Sequence, residues 1–175
     1  MSFKNRQCSE IREMLEELGF VISEQDDDNN TILFFSRTPT RNISKADLIN
    51  ITVTIGGDSE YGMLDIQTMY SSDYITDKRY LGDIATFLAY VNYKESFVSA
   101  SFDCEDHRIA INTAIATNKE ISQELIPIYL RRHINVASAL ANGIIALSMG
   151  YSTPLDEYNK YLENISIIDE EDNNN

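Results

Sequence analysis

The order of helical and strand-like segments constrains the fold of this chain more than any single motif does. Hydrophobic periodicity predicts an amphipathic helix that ends at Gly19, four strand-like runs, a helix from about Asp77, a hairpin around Glu105-Asp106 and a long helix that ends near Gly150. This succession predicts an α+β fold in which an antiparallel sheet packs against helices. The expected element order is α-β-β-β-β-α-β-β-α.

Four segments carry a strand pattern before the middle helix. Residues 20–24 and 31–36 are the predicted strands of a hairpin, because a polar, turn-forming run separates them. Residues 49–55 alternate apolar and polar side chains, as a strand with one buried face does, and residues 63–69 follow a glycine-rich turn. Residues 97–115 contain a second hairpin, whose neighbouring strands pair antiparallel by default.

The middle helix is apolar over most of its circumference. Tyr80, Phe87, Tyr90 and Tyr93 widen the apolar stripe well beyond one face. Such a helix must be covered on two sides, and the sheet can cover only one. Either a second subunit or partner, or a neighbouring helix of the same domain, would cover the other. The four aromatic residues are therefore the candidate partner-binding residues, with burial in the core as the alternative. The core stripe itself is Leu81, Ile84, Ala85, Leu88 and Val91.

The C-terminal third of the chain is predicted to be mainly helical. Pro127 is tolerated if it falls in the first turn of the long helix, and otherwise it kinks the helix. Pro154 allows one more short helix, through Leu162. We expect one α+β domain over residues 1–165, and a disordered acidic tail over residues 166–175.

The charge balance excludes some classes of partner. The chain has 28 acidic and 14 basic residues and a net charge of −14. That balance argues against nucleic-acid binding and against docking on anionic membranes, both of which depend on lysine and arginine. It favours a basic protein surface as partner, although ordinary acidity for solubility explains it equally well. The first residues lack the apolar run of a signal peptide, so we expect a cytoplasmic protein.

The motifs that could carry chemistry are weak. His133 lies beside Arg131 and Arg132, a short basic patch that is more often a solvated face, or paired with local carboxylates, than a catalytic site. Cys104 and His107 have a ligand-like spacing, but a structural zinc site needs four ligands and no second pair is evident in the sequence. A polar turn is the simpler interpretation.

Two acidic runs also suggest metal or nucleotide chemistry and are better explained as turns. The run 26–28 lacks the spacing and distal glutamate of an EF-hand loop. The run 56–60 is faintly similar to the signature of diguanylate cyclases, but Ser59 separates Asp58 from Glu60. Glycines and an aspartate are what a tight hairpin needs in any case. We predict no catalytic residue, no metal site and no cofactor.

One family resemblance accompanies this pattern. Residues 10–20, Glu-Ile-Arg-Glu-Met-Leu-Glu-Glu-Leu-Gly-Phe, resemble the opening of YbjN-like domains, which are grouped with the type III secretion chaperone-like fold. The resemblance extends over roughly residues 6–150 and rests on element order and composition. It implies a small acidic α+β protein, commonly a homodimer, that binds other polypeptides or acts as a regulator, with no reaction and no cofactor. The loop at residues 37–47 and the segment after Pro154 depart from the family pattern.

The sequence therefore favours a non-enzymatic protein-binding module, chaperone-like or regulatory. It would capture a polypeptide on an apolar face with an acidic rim, by strand addition at a sheet edge or in a groove beside the middle helix. The alternatives are a small-molecule sensor, with a pocket between sheet and helices, and an acidic immunity or inhibitor protein that blocks a basic surface. We also expect a homodimer.

Overall fold

The computed structural model describes residues 9–13, 15–16, 21–26, 31–37, 48–57, 62–70, 74–103, 105–117 and 124–173. Within these, it describes only the backbone of 23–26, 31–37, 48–50, 55–57, 117 and 166–173. Several predicted features lie outside the described residues. They are the helix end at Gly19, most of the loop at 37–47, the acids Asp58 and Glu60, and Cys104.

Helices and antiparallel strands confirm the α+β class. Helical residues at 9–13 and 15–16 precede the sheet. The strands and helices follow, in chain order: β1 (Val21–Asp26), β2 (Thr31–Arg37), β3 (Leu48–Gly57), β4 (Gly62–Tyr70), a 3-10 turn (Lys78–Tyr80), the middle helix (Leu81–Lys94), β5 (Ser99–Asp103), β6 (Arg108–Thr117), the long helix (Leu125–Ser148) and the C-terminal helix (Pro154–Asn173).

The strand order is β1-β2-β3-β4-β6-β5, so β5 is the last strand at one edge. Strands β1 to β4 pair antiparallel in sequence, with Val53 of β3 opposite Ile66 of β4. A register shift between Ile22 and Glu24 marks a bulge in β1. Alternate side chains of β3 and β4 are buried, as the predicted alternation requires for a sheet with one covered face.

The chain divides into two compact units, Met1–Thr68 with Asn112–Ile134, and Met69–Ile111 with Asn135–Asn175. The sequence predicted one domain over residues 1–165. Each unit has its own buried apolar side chains. In the first these are Ile11, Leu15, Ile51, Val53, Leu64, Ile66, Ile126 and Leu130. In the second they include Ile84, Phe87, Leu88, Val91, Val98, Ile109, Val136, Leu140, Ile144, Leu147 and Tyr161.

The middle helix was predicted from about Asp77, but a 3-10 turn precedes it and the α-helix begins at Leu81. Asp77 is the N-cap of the 3-10 turn, and its Oδ1 accepts a hydrogen bond from the backbone N–H of Arg79 at 2.9 Å. The α-helix proper follows from Leu81 and buries a single stripe. Gly143 of the long helix lies against this stripe, since a Cβ there would stand 2.6 Å from the ring of Phe87. The absence of a side chain at this position allows the close approach.

The long helix ends in a Schellman motif, which confirms the predicted stop near Gly150. Gly150 has a φ of +69°, a conformation that glycine adopts without strain. Its N–H donates to the carbonyl of Leu147 at 2.9 Å, and the N–H of Tyr151 donates to the carbonyl of Ala146 at 3.0 Å. Pro127 falls in the first turn of the same helix, where its missing N–H is not needed.

The C-terminal helix is longer than the sequence predicts. Pro154 is its first residue, a favoured place for proline, and the hydroxyl of Thr153 accepts a hydrogen bond from the N–H of Asp156 at 3.3 Å. The helix continues to Asn173, through most of the segment predicted to be a disordered tail. Buried Tyr161 and Ile165 continue the helical spacing beyond the predicted end at Leu162.

Candidate functional site

The structure separates the four aromatic residues predicted to bind a partner. Phe87 is fully buried and belongs to the core. Tyr80 is half-buried, and its hydroxyl lies where a side chain at residue 150 would be. Tyr90 is 40% exposed and Tyr93 is 93% exposed. Only the last two present substantial aromatic area to solvent.

The C-terminal helix covers one side of the middle helix. The rings of Tyr90 and Tyr158 are 5.5 Å apart between centroids and tilted by 43°, within the range of favourable aromatic pairs. The hydroxyl of Tyr161 donates a hydrogen bond to the carboxylate of Glu95, just after the end of the middle helix. The sequence left open whether a partner or a neighbouring helix of the same domain covers this side of the middle helix. In the structure the C-terminal helix covers it.

The outward face of the middle helix carries no charge. Gly82, Ala85, Thr86 and Ala89 are exposed and lie on the same side as Tyr93. The prediction that Ala85 belongs to the core stripe is therefore wrong. An exposed helix face usually carries charged residues, and this chain has 28 acidic and 14 basic residues. A charge-free face with a fully projecting tyrosine is therefore unusual on so acidic a protein.

Phe97 extends the exposed aromatic area beyond the end of the helix. Its side chain is 59% exposed, and the sequence predicted it as the first residue of a strand in the second hairpin. The strand in fact begins at Ser99, so that Phe97 precedes it. We define the aromatic surface as Tyr90, Tyr93 and Phe97. The sequence signal for Phe97 was ambiguous because a short apolar run does not reveal where a strand begins.

His133 is buried, so the prediction of a solvated basic face is wrong for this residue. Its Nε2 lies 2.9 Å from the hydroxyl of Thr68 in β4, and its Nδ1 lies 2.9 Å from the hydroxyl of Thr113 in β6. Burial lowers the pKa of His133 to about 4, so the ring is neutral at pH 7. A neutral imidazole has one donor and one acceptor nitrogen. One threonine hydroxyl accepts a hydrogen bond from the ring, and the other donates one to it.

The structure gives His133 two buried side-chain hydrogen bonds. Threonine hydroxyls of the first unit bond both ring nitrogens, and the ring has no exposed surface, so His133 ties the long helix to β4 and β6. Arg131, two residues earlier on the helix, is exposed. Arg131 and His133 are close in the sequence, but their side chains lie on different faces of the long helix.

The turn between β5 and β6 is organised by Asp103. Its Oδ1 accepts hydrogen bonds from the backbone N–H groups of Glu105 at 2.8 Å and Asp106 at 3.2 Å. These two bonds lower the pKa of Asp103. His107 adopts a φ of +55° in the turn. The local geometry supports the interpretation of this segment as a polar turn, while the cysteine of the predicted ligand pair lies outside the described residues.

Comparison of the chain with protein-family models, with curated proteins and with solved structures gives no match. Among the helices that the structure describes, none combines the length and apolar character needed to cross a bilayer.

Proposed function

We propose that this protein is a non-enzymatic, chaperone-like or regulatory module that binds a polypeptide partner through the aromatic surface. The observation that carries the proposal is the 93% exposure of Tyr93 beside a charge-free helix face. Tyrosine supplies a large, rigid contact area at low cost in side-chain entropy, and aromatic residues dominate the energetics of protein interfaces.

The charge of the chain supports a basic partner. The net charge is −14, while the outward face of the middle helix is neutral. A strongly acidic chain with a neutral apolar helix face favours a basic partner that also presents apolar residues. Electrostatic complementarity of this kind accelerates association and makes it sensitive to salt.

The same charge supports a second candidate, an acidic inhibitor or immunity protein. That function uses the same surface but predicts one tight partner with a basic site, whereas a chaperone-like module would bind several related segments. The breadth of the bound set distinguishes the two.

The relationship to YbjN-like domains and the type III secretion chaperone-like fold, and the homodimer, are part of this proposal. The first is supported by the succession of four strands, a helix, two strands and a long helix. The second is what this resemblance implies, because such domains are commonly homodimers.

The experiment that tests the proposal places a photoreactive phenylalanine analogue at Tyr93 and, as a control, at exposed Glu163 of the same unit. After irradiation in extract of the native cells, we expect discrete cross-linked proteins from position 93 and none of them from position 163. Cross-links shared equally by both positions would contradict the proposal.

A quantitative test follows with the partner so identified. Tyr93→Ser should weaken its binding by at least about tenfold, the loss typical of an interface anchor. Tyr151→Ser is the matched control, because Tyr151 is 81% exposed in the same unit but lies outside the aromatic surface. If the two variants bind the partner with equal affinity, the partner does not bind through the aromatic surface and the proposal is wrong.

A further inference from the structure

Strand β5 lies at an edge of the sheet, and an edge strand offers unpaired backbone groups to other chains. In the strand order, β6 is its neighbour on one side, and among the residues that the structure describes no strand lies on the other. A free edge is a ready template for strand addition, including pairing with a second copy of the same protein. Natural proteins therefore protect such edges.

The side chain of Asn92 occupies this edge at Ala100. Its Oδ1 accepts a hydrogen bond from the N–H of Ala100 at 2.7 Å. Its Nδ2 donates to the carbonyl oxygen of the same residue, also at 2.7 Å. The N–H and the carbonyl of one residue in an antiparallel strand point to the same side of that strand. Because the N–H of Ala100 donates to Asn92, we infer that both groups face the outer side of β5.

The geometry of these two bonds is that of a neighbouring strand. In an antiparallel ladder, two opposed residues exchange both of their N–H···O bonds. A carboxamide is chemically equivalent to a peptide group and presents the same acceptor and donor. Asn92 thus reproduces, from the last turns of the middle helix, the contact that one residue of an added strand would make.

We propose that Asn92 closes the edge of β5 to strand addition and so prevents this chain from pairing with a second copy there. An incoming strand must first displace a side chain that already satisfies Ala100, and it gains no hydrogen bond at that position by doing so. This inference concerns the backbone edge of β5 rather than the neighbouring aromatic side chains, and it does not rest on the proposed function.

Removing the side chain should expose the edge. In Asn92→Ala the two groups of Ala100 lose their partner, and we expect the mass measured by sedimentation velocity to rise above that of the wild type as concentration increases. Asn159→Ala is the matched control, since it removes an exposed asparagine from another helix of the same unit. That variant should sediment like the wild type.

A second variant separates strand pairing from general loss of stability. Asn92→Ala with Ala100→Pro lacks the outward N–H that an added strand needs, while proline is tolerated where the N–H faces away from the sheet. We expect its mass to return to the wild-type value. If Asn92 only fastens the helix to the strand, the single variant will melt at a lower temperature without any increase in mass, and the proposal fails.

Amide hydrogen exchange gives a direct readout at the edge itself. In dilute Asn92→Ala, the Ala100 amide should exchange roughly fivefold faster than in the wild type, as expected for loss of one hydrogen bond. In the concentrated variant, protection at Ala100 should return as strands pair. Unchanged exchange at Ala100 in the dilute variant would overturn the assignment of Asn92 as its partner.

Discussion

Acidification should destabilise the fold through His133, because this buried ring is neutral in the folded state. The pKa of His133 is about 4 when folded, against 6.5 for an ordinary histidine. Above about pH 6.5 both folded and unfolded states carry a neutral ring, and the contribution is constant. Below that pH the unfolded chain takes up a proton that the folded chain excludes, so stability falls until the pH reaches the folded pKa.

The magnitude follows from the two pKa values. Each unit of difference is worth about 1.4 kcal/mol. Between pH 7 and about pH 5, the free energy of unfolding should therefore fall by about 2 kcal/mol on account of this one residue. By pH 4 the loss approaches about 3 kcal/mol, which is a substantial part of the stability of an ordinary domain.

Urea unfolding across this pH range measures the effect. His133→Gln keeps one donor and one acceptor but does not titrate, so its stability should change with pH by about 2 kcal/mol less than that of the wild type. His107→Gln is the control and should retain the steep loss. If His133→Gln and the wild type lose stability in parallel between pH 7 and pH 5, the buried neutral imidazole is not the cause of the acid sensitivity.

Three further predictions test the packing of the second unit and the assembly. Gly143→Ala should lower the free energy of unfolding by about 1–3 kcal/mol in a thermal or urea melt, because its Cβ would collide with Phe87, whereas Gly82→Ala meets open space and should be neutral or stabilising. Tyr161→Phe should cost about 1 kcal/mol in the same melts through loss of its bond to Glu95, and an unchanged midpoint would show that the bond contributes nothing. Sedimentation equilibrium at micromolar concentration should give the mass of a dimer, and a monomer there would remove the homodimer from the proposal.

Local signals in the sequence predicted two of the element boundaries. Asp77 caps the turn before the middle helix, and Gly150 terminates the long helix, because capping depends on residues within one turn of the chain. The alternation in β3 likewise predicts its buried face. These features require no knowledge of which segments meet in space.

The features that the sequence did not reveal depend on distant partners. His133 is buried because β4 and β6 place Thr68 and Thr113 on its two nitrogens, and their separation along the chain leaves no local trace. The sequence predicted a middle helix that is apolar over most of its circumference, because a tyrosine is counted as apolar whether it is buried or exposed. Only the tertiary structure distinguishes Phe87 in the core from Tyr93 in solvent.

The contact between Asn92 and Ala100 also bears on how a partner would bind. The sequence left two modes open, strand addition at a sheet edge and docking beside the middle helix. Strand addition at β5 requires the two backbone groups that Asn92 already satisfies. Docking on the aromatic surface requires no such displacement, because Tyr93 is already exposed and, apart from the adjacent Lys94, the exposed residues of the middle helix are uncharged. At this end of the sheet, docking on the helix is therefore the mode with the lower energetic cost, and a partner cross-linked at Tyr93 should leave the protection of the Ala100 amide unchanged.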